Sequence, residues 1–527
     1  MKTVIRRSVS LLTVLCICVC ALSAAAAAAQ PKNGIPVIFI AGFVSTPTVD
    51  KETGDRLFPP ERDDIVNALK DSAGDIAKSA LTRDWASLDA PLTRVIYGLF
   101  DPITCDENGV PYNAATDTSY VWPTAEEILA KCDPARGYTA GDNIYYSFDW
   151  RLDLATLASQ FNDFAEYVKS VTGARKLDVI ASSMGACVLA TYMDLYGFGS
   201  LNKCVFLSGA FQGASVCGDA FAGRFAFDTE TLVTFLSAAT GRDLKGELLD
   251  ALIDVLYQQG VVGDVVEIAA DISAKALGPV YANALAAVFG RIPGFWALVP
   301  ADRYDEAKAK FISGWVTDAF YEKIDYYHGV QGRVPELIQA GVDAGTGISI
   351  LSKYGVSGIP AVESQKNLTD MVVDTMYSSV GAVTAQINRP FGSDYVQAVD
   401  DGENRLSADG YIDASSCAFP QYTWFLKNIK HTVHPAAQME FIDALFAFEG
   451  QPTVRDLAAY PQFLILTSAQ TLVPLTGETD ESIIVDPARG DTAFARFQII
   501  LRDWRTVFEK LFALLRQAIR IDKGDKN

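Results

Sequence analysis

The stretch DVIASSMGACVLATY, Asp178 to Tyr192, places two serines and a glycine between an apolar run and a helical pattern. Ala181 and Gly185 lie two residues before and two residues after Ser183, and small residues there let a strand and a helix approach closely. This form is typical of a nucleophile elbow, which holds its serine at the head of the helix. An ordinary strand–turn–helix with small residues for packing would give the same pattern.

Short apolar runs rich in β-formers alternate with helical patterns along the chain, and this predicts a mostly parallel central sheet flanked by helices, an α/β fold. One helix is predicted from Leu154, because apolar residues recur there at three- and four-residue spacing until Gly173. The predicted strands are residues 35–42, 143–150, 176–183, 203–210, 347–355 and 423–430.

The fourth and fifth predicted strands are separated by a long segment of mainly helical pattern. A crossover between parallel strands needs only one helix, so residues 218–340 are predicted to form a large helical cap or lid. Residues 30–217 and 341–527 would form the two parts of the α/β core, the second ending in an amphipathic C-terminal helix. Residues 452–492 match no element pattern.

The chain begins with the three-part pattern of a secretory signal peptide. Basic residues precede an apolar run over residues 10–22, and small residues follow to Ala29. We therefore expect residues 1–29 to be a signal peptide and the protein to be secreted. No later apolar stretch is long enough to predict a stable membrane anchor.

The net charge of −20 argues against nucleic acid as a partner and against tight docking on an anionic membrane. Six cysteines follow the predicted signal peptide, too few for a disulfide scaffold in so long a chain. Cys105 with Cys132 is the one pairing that their loop-like surroundings suggest. No CxxC or histidine-rich cluster is present, so no metal and no cofactor is predicted.

A serine in such an elbow needs an acid and a histidine later in the chain, each in a loop that follows a strand. His431 directly follows the predicted strand 423–430, and Asp409 lies in the polar loop 400–413. We expect His431 to accept the Ser183 proton and return it to the leaving group, while Asp409 orients the imidazole. The candidate catalytic residues are therefore Ser183, Asp409 and His431.

Alternatives exist for two of these positions. The chain has three histidines in total, and His434 is the second candidate for the base, after His431, because it lies further from the predicted strand 423–430. Asp401 and Asp413 are alternatives to Asp409 within the same loop.

The first predicted strand leads directly into Gly42 and Phe43. Hydrolases with a nucleophile elbow place one N–H of the oxyanion hole after this strand and the other on the residue after the nucleophile. The backbone N–H groups of Phe43 and Met184 are therefore the predicted oxyanion hole. A glycine turn needed only for chain reversal is the alternative interpretation.

Several segments together resemble the lecithin–cholesterol acyltransferase-like lipases of the α/β-hydrolase fold. The resemblance rests on the elbow and on five further stretches: Ile40-Ala41-Gly42-Phe43, Phe148-Asp149-Trp150-Arg151-Leu152, residues 207–214, residues 292–300, and Asp409-Gly410-Tyr411-Ile412 followed by His431. It implies that the protein cleaves an acyl ester of a lipid, such as a phospholipid or acylglycerol, through an acyl-Ser183 intermediate. The acyl group would then pass to water, or to an alcohol in the acyltransferase alternative.

Phe43, Phe295 and Trp296 are predicted to contact the substrate, the last two in a proline-flanked part of the predicted cap. Transient contact of the cap with a lipid interface is expected on the same ground. Two other possibilities stay open: a catalytically silent hydrolase-fold protein that binds lipid or protein through the cap, and a peptidase or amidase. An Asp149–Arg151 pair is expected to be structural rather than to touch the substrate.

Overall fold

The computed structural model describes residues 34–477, apart from residues 44, 46, 51, 113–119, 240–260, 313, 315 and 468. The predicted signal peptide and the predicted C-terminal helix lie outside the described residues.

The described chain is organised around one large, mostly parallel β-sheet. The strands are β1 Val37–Ile40, β2 Thr48–Val49, β3 Arg56–Phe58, β4 Ile144–Tyr146, β5 Leu177–Ser182, β6 Leu201–Leu207, β7 Gly347–Tyr354, β8 Val383–Thr384, β9 Ile412–Asp413, β10 Thr423–Lys427, β11 Phe463–Leu466 and β12 Leu472–Pro474. Eight of them form the sheet in the order β12-β11-β10-β7-β6-β5-β1-β4, and β2–β3 and β8–β9 form two short ribbons. All neighbours in the large sheet are parallel except β11 and β12.

Helices cover both faces of this sheet. They are α1 Arg62–Thr82, α2 Asp89–Phe100, α3 Ala125–Ala130, α4 Leu154–Thr172, α5 Met184–Tyr196, α6 Ser215–Phe221, α7 Thr229–Ala239, α8 Val261–Ile272, α9 Gly278–Val280, α10 Ala286–Phe289, α11 Pro293–Trp296, α12 Ala301–Ala307, α13 Asp318–Gln331, α14 Val334–Asp343, α15 Thr375–Ser378 and α16 Ala436–Ala447. Short 3-10 turns occur at Trp85–Leu88, Asp101–Ile103, Glu363–Lys366 and Ala414–Ser416, and π-helical turns at Ser273–Leu277, Tyr281–Leu285 and Lys308–Ile312.

The strands are apolar on both sides because each face has its own core. Ile38 and Ile40 of β1 pack with α4 and α5 on one face. Val37 and Phe39 of the same strand pack with α16 on the other. Residues one apart on a strand point to opposite faces, so burial of both faces gives the continuous apolar runs seen in the sequence.

The segment from α6 to α14 lies between the neighbouring strands β6 and β7 and is mainly helical where it is described. We call it the helical region. It has a core of its own, built around Phe221, Trp296, Phe311 and Phe320. Within the described residues no single helix is long and apolar enough to cross a membrane, although the bent pair Val262–Lys275 and Gly278–Phe289 meets the length and hydropathy criteria together.

The α/β prediction is confirmed, and each of the six predicted strands overlaps a strand of the large sheet; β6 begins two residues earlier than predicted, and the other five lie within the predicted ranges. The helix predicted from Leu154 is also confirmed: the side chain of Asp153 accepts the N–H of Thr156 at its start, and Gly173 ends it with φ of 73°. The strands β11 and β12 were missed, and they fall in residues 452–492, where no pattern was recognised.

Candidate active site

Ser183 lies in the tight turn between β5 and α5, at the carboxyl edge of the sheet. Its backbone has φ of 54° and ψ of −124°, a left-handed conformation that non-glycine residues rarely adopt and that is strained. A Cβ on Gly185 would lie 2.5 Å from the carbonyl oxygen of Ile40 and 2.6 Å from that of Ala41. Glycine at this position therefore allows α5 to begin directly against the end of β1.

His431 lies four residues beyond the end of β10 and reaches Ser183 across the sheet edge. Its Nε2 lies 2.7 Å from the Ser183 Oγ, and its Nδ1 lies 2.7 Å from Oδ2 of Asp370. The three residues are buried, with 8 %, 7 % and 0 % of the surface of Ser183, His431 and Asp370 exposed. A proton on Nδ1, donated to the carboxylate, leaves Nε2 free to accept the hydroxyl proton of Ser183.

Asp370 is the acid of this arrangement, and it lies in the loop that follows β7. Its Oδ1 accepts the backbone N–H groups of Val372 at 3.1 Å and Val373 at 2.9 Å, and its carbonyl oxygen accepts the N–H of His431 at 2.9 Å. Burial alone would raise the pKa of Asp370, but the adjacent His431 and the N–H of Val373 outweigh it and lower the pKa. The carboxylate is therefore ionised and held in place on both oxygens.

The prediction that Asp409 orients His431 is corrected by this geometry, because Asp370 occupies that position. Oδ2 of Asp409 lies 2.9 Å from Nζ of Lys427 and accepts the hydroxyl of Tyr354 at 3.0 Å. Its Oδ1 accepts the hydroxyl of Ser407 at 2.6 Å. Asp409 is thus engaged in a separate buried ion pair that joins the ends of β7 and β10.

The alternative candidates also have other partners. Asp401 pairs with Arg405 at 3.0 Å, and Asp413 accepts the N–H of Ser415. The ring of His434 packs edge-on against Phe39 at 5.2 Å, and burial lowers its pKa well below the usual range. Of the two histidines considered, His431 is the one that the structure brings to Ser183.

The two residues of the predicted oxyanion hole flank Ser183. Met184 follows it directly as the first residue of α5. Phe43 follows Gly42, where a Cβ would lie only 2.8 Å from Cβ of Ser183. The end of β1 therefore lies against the serine, as the prediction requires, and the role of the Phe43 and Met184 N–H groups stays a prediction.

Aromatic side chains pack around the ring of Phe43. Its ring lies 4.6 Å from that of Trp150 and 5.0 Å from that of Phe295, with Phe58 at 6.2 Å. We call Phe43, Phe58, Trp150 and Phe295 the aromatic cluster. It joins the turn beside Ser183 to the helical region, in line with the prediction that places Phe295 near the site.

Trp296 is placed differently from its neighbour. It is fully buried, and its Nε1 donates to the carbonyl of Gly290 at 2.8 Å. Its ring packs against Phe221 and Tyr304 in the core of the helical region. The predicted contact of Trp296 with substrate is therefore corrected to a packing role.

Asp149 and Arg151 lie on either side of Trp150 in the chain and form the expected structural ion pair. The guanidinium makes two hydrogen bonds to the carboxylate, of 2.9 and 2.8 Å. A Cβ on Gly294 would lie 1.8 Å from the carbonyl oxygen of Trp150, so glycine permits the helical region to contact this segment directly. The pair thus stabilises the segment that carries Trp150.

The predicted Cys105–Cys132 disulfide is absent, and burial raises the pKa of the Cys105 thiol to about 12. In the part of the chain that the structure describes, no group of three or more His, Cys, Asp or Glu side chains could hold a metal ion.

This arrangement is suited to activate a hydroxyl. His431 can remove the proton from Ser183 as the oxygen attacks an electrophile, and the ionised Asp370 stabilises the imidazolium that forms. The positive end of α5 begins at the residue after Ser183, where negative charge on the attacked group would develop.

No protein-family model matches the chain, and no curated protein matches it. Among solved structures, a chain from the crystal structure of the Tle4–Tli4 complex matches with 14% sequence identity, covering 60% of this chain and 75% of that one. The TM-score is 0.24, which does not establish a shared fold.

Proposed function

We propose that the protein is a secreted serine hydrolase of the α/β-hydrolase fold that cleaves acyl esters of lipids through an acyl-Ser183 intermediate. The observation that carries the proposal is the continuous hydrogen-bonded chain from the Ser183 Oγ through both nitrogens of His431 to Asp370, with two contacts of 2.7 Å. The strained conformation of Ser183 supports it, since such strain concentrates at functional sites.

In the proposed reaction, the Ser183 Oγ attacks the ester carbonyl while His431 Nε2 takes the hydroxyl proton. The N–H groups of Phe43 and Met184 would stabilise the oxyanion of the tetrahedral intermediate. The imidazolium then gives its proton to the leaving alcohol oxygen, the ester C–O bond breaks, and an acyl-Ser183 ester remains. Water, activated by the same imidazole, hydrolyses that ester and releases the acid.

A lipid substrate is supported by the apolar character of the surroundings. The aromatic cluster adjoins the turn beside Ser183, and the helical region contributes Phe295 to it. In the proposed function the helical region is the cap that covers the acyl chain. The resemblance to lecithin–cholesterol acyltransferase-like lipases points to the same substrate class and leaves an alcohol as the alternative acyl acceptor.

The test of the proposed nucleophile is labelling by a fluorophosphonate, measured by intact mass with and without lipid micelles. Wild type is expected to gain one label, and Ser183→Ala is expected to gain none and to lose esterase activity by roughly 10⁶-fold. Ser182→Ala is the matched control. Ser182 is also buried and is the last residue of β5, whereas the hydroxyl that His431 contacts is that of Ser183. Folded wild type that takes no label would leave a binding protein rather than an enzyme.

The substrate class is tested with a series of p-nitrophenyl esters of increasing chain length, followed by phosphatidylcholine and triacylglycerol dispersions. We expect kcat/KM to rise with chain length and fatty acid to be released from at least one dispersion. Adding a long-chain alcohol distinguishes the acceptors, since an acyltransferase would form the alcohol ester at the expense of free acid. Cleavage confined to acetyl or amide substrates would contradict the lipid assignment.

A further inference from the structure

The lysine near the carboxyl end of β7, Lys353, is fully buried in the interior of the protein. Buried lysines are rare, because removing an ammonium group from water is costly unless it is compensated by hydrogen bonds or opposite charge. Lys353 lies on the same side of β7 as Leu351, which packs in the core beneath α16. The ammonium group therefore has a specific set of partners that explains its position.

Those partners are backbone carbonyl groups of the loop that carries His431. Nζ of Lys353 donates to the carbonyl oxygens of Val433 at 2.7 Å, His431 at 3.1 Å and Lys430 at 3.4 Å. An ammonium group has three donors, and here they reach residues on both sides of the histidine. The loop is held from its other side by the N–H of His431, which donates to the carbonyl of Asp370.

We infer that Lys353 is a positioning residue for the proposed reaction: its ammonium group fixes the backbone on both sides of His431, so that the imidazole meets Ser183 and Asp370 at once. The inference rests on the proposed function, because it concerns the same site. A histidine that must satisfy two hydrogen bonds of 2.7 Å tolerates little movement of its backbone. Lys353 supplies that restraint without touching the reacting atoms.

The charge of Lys353 adds to this restraint. Against the effect of burial, the positive charge of Lys353 contributes with His431 to the lowered pKa of Asp370. The charge of Lys353 thus adds to the larger effects of His431 and of the Val373 N–H in lowering the pKa of this carboxylate.

The neighbouring strand offers a matched control. Lys203 of β6 is also buried, and its Nζ likewise donates to backbone carbonyls, those of Leu445 at 3.0 Å and Phe448. These carbonyls lie at the end of α16, near the amino ends of the strands, whereas Ser183 lies at the carboxyl ends. Lys203→Met and Lys353→Met therefore both remove a buried ammonium group that donates to backbone carbonyls, and only Lys353 holds the loop of His431.

The experiment measures kcat and KM for p-nitrophenyl butyrate, with folding verified by circular dichroism and thermal unfolding. We expect Lys353→Met to lower kcat by about 10²-fold with KM unchanged, as for a misplacement of the base by about 1 Å. Lys203→Met should keep the wild-type kcat while its melting temperature falls by a similar amount. If Lys353→Met does not fold, Lys353→Gln, whose amide keeps two N–H donors without the charge, is expected to show an intermediate loss of kcat.

A spectroscopic readout separates positioning from general destabilisation. The Nδ1–H shared by His431 and Asp370 is expected to give a low-field proton resonance, assigned by its loss in Asp370→Asn. It should persist in Lys203→Met and disappear or broaden in Lys353→Met. Wild-type kcat and an unchanged resonance in folded Lys353→Met would overturn the inference alone, whereas a wild type that takes no fluorophosphonate would overturn the proposed function itself.

Discussion

The central sheet buries an aspartate and a lysine near the carboxyl ends of its strands and another aspartate and lysine near the amino ends, but these side chains have different partners. At the carboxyl edge, Asp370 accepts two backbone N–H groups and lies against His431, while Lys353 holds the histidine loop. At the amino edge, Asp178 of β5 accepts the side-chain N–H of Asn202 at 2.7 Å.

The difference shows in the two carboxyl groups. Burial raises the pKa of Asp178 to about 7, and the hydrogen bond from Asn202 and the charge of Lys203 only partly oppose this effect. The pKa of Asp370 is instead below its ordinary value, although that residue is also fully buried. The charge and the hydrogen bond of the adjacent His431 are the largest of the effects that lower the pKa of Asp370, and they distinguish this carboxyl group from that of Asp178.

Between matched substitutions of Asp370 and Asp178, the largest difference is expected in catalytic activity. Asp370→Asn keeps the shape of the side chain but removes the charge that stabilises the imidazolium and fixes its tautomer, so we expect kcat/KM for p-nitrophenyl butyrate to fall by roughly 10⁴-fold. Asp178→Asn, the matched change at the other edge, should leave kcat/KM at the wild-type value. An Asp370→Asn variant with near wild-type kcat/KM would remove Asp370 from the site.

The second difference concerns how stability depends on pH. A folded-state pKa of about 7 for Asp178, against the ordinary value of 3.8 for an aspartate, means that the folded protein binds this proton more tightly than the unfolded chain. The contribution is fully present below about pH 4 and is lost as pH rises through 7, so it should decline on the order of 2–3 kcal/mol between pH 5 and pH 8. Urea unfolding at both pH values should show this decline in wild type and not in Asp178→Asn. An equal decline in both proteins would contradict the raised pKa.

The smallest effect is expected from a substitution of Asp409, which lies near the carboxyl ends of the strands, as Asp370 does. This substitution distinguishes the roles of the two acids. Asp409→Asn removes the charge paired with Lys427 and weakens the hydrogen bond from Tyr354, so the free energy of unfolding in urea should fall by roughly 2 kcal/mol. The activity of the folded variant should remain at the wild-type value, since Asp370 and not Asp409 contacts His431. A large loss of kcat in folded Asp409→Asn would instead support Asp409 as the residue that orients His431.

The sheet could be predicted from the sequence because its strands are buried on both faces. The run 35–42 is apolar throughout, and 347–355 is mostly apolar and ends in Lys353-Tyr354-Gly355; such runs can be recognised without any knowledge of strand pairing. The sequence did not predict β11 and β12, because they are short. They are the last two strands on one side of the sheet, and each is recognised as a strand by its pairing with a neighbour. Residues 1–29, the predicted signal peptide, are outside the described chain and stay a prediction.

Two of the three residues in the hydrogen-bonded chain at the site could be predicted, and the third could not. Ser183 and His431 are fixed by local features, a strand–turn–helix and a position just after a strand. The acid lies in a long loop, and the sequence shows which aspartates follow β7 but not how that loop folds back on the sheet. Asp370 is the first aspartate after β7, and this proximity was the signal that could have favoured it over Asp409.

The helical region has a consequence for folding and for change over evolution. β6 and β7 pair in parallel register, with Lys203 beside Gly347, although the whole helical region lies between them in the chain. The entropy cost of closing such a connection grows slowly, by about 0.6 kcal/mol per doubling of length, so additional residues in this region should have little effect on the equilibrium stability of the sheet. The same separation delays the β6–β7 pairing during folding, because distant segments meet late. Insertions there should therefore slow folding more than they destabilise the folded protein.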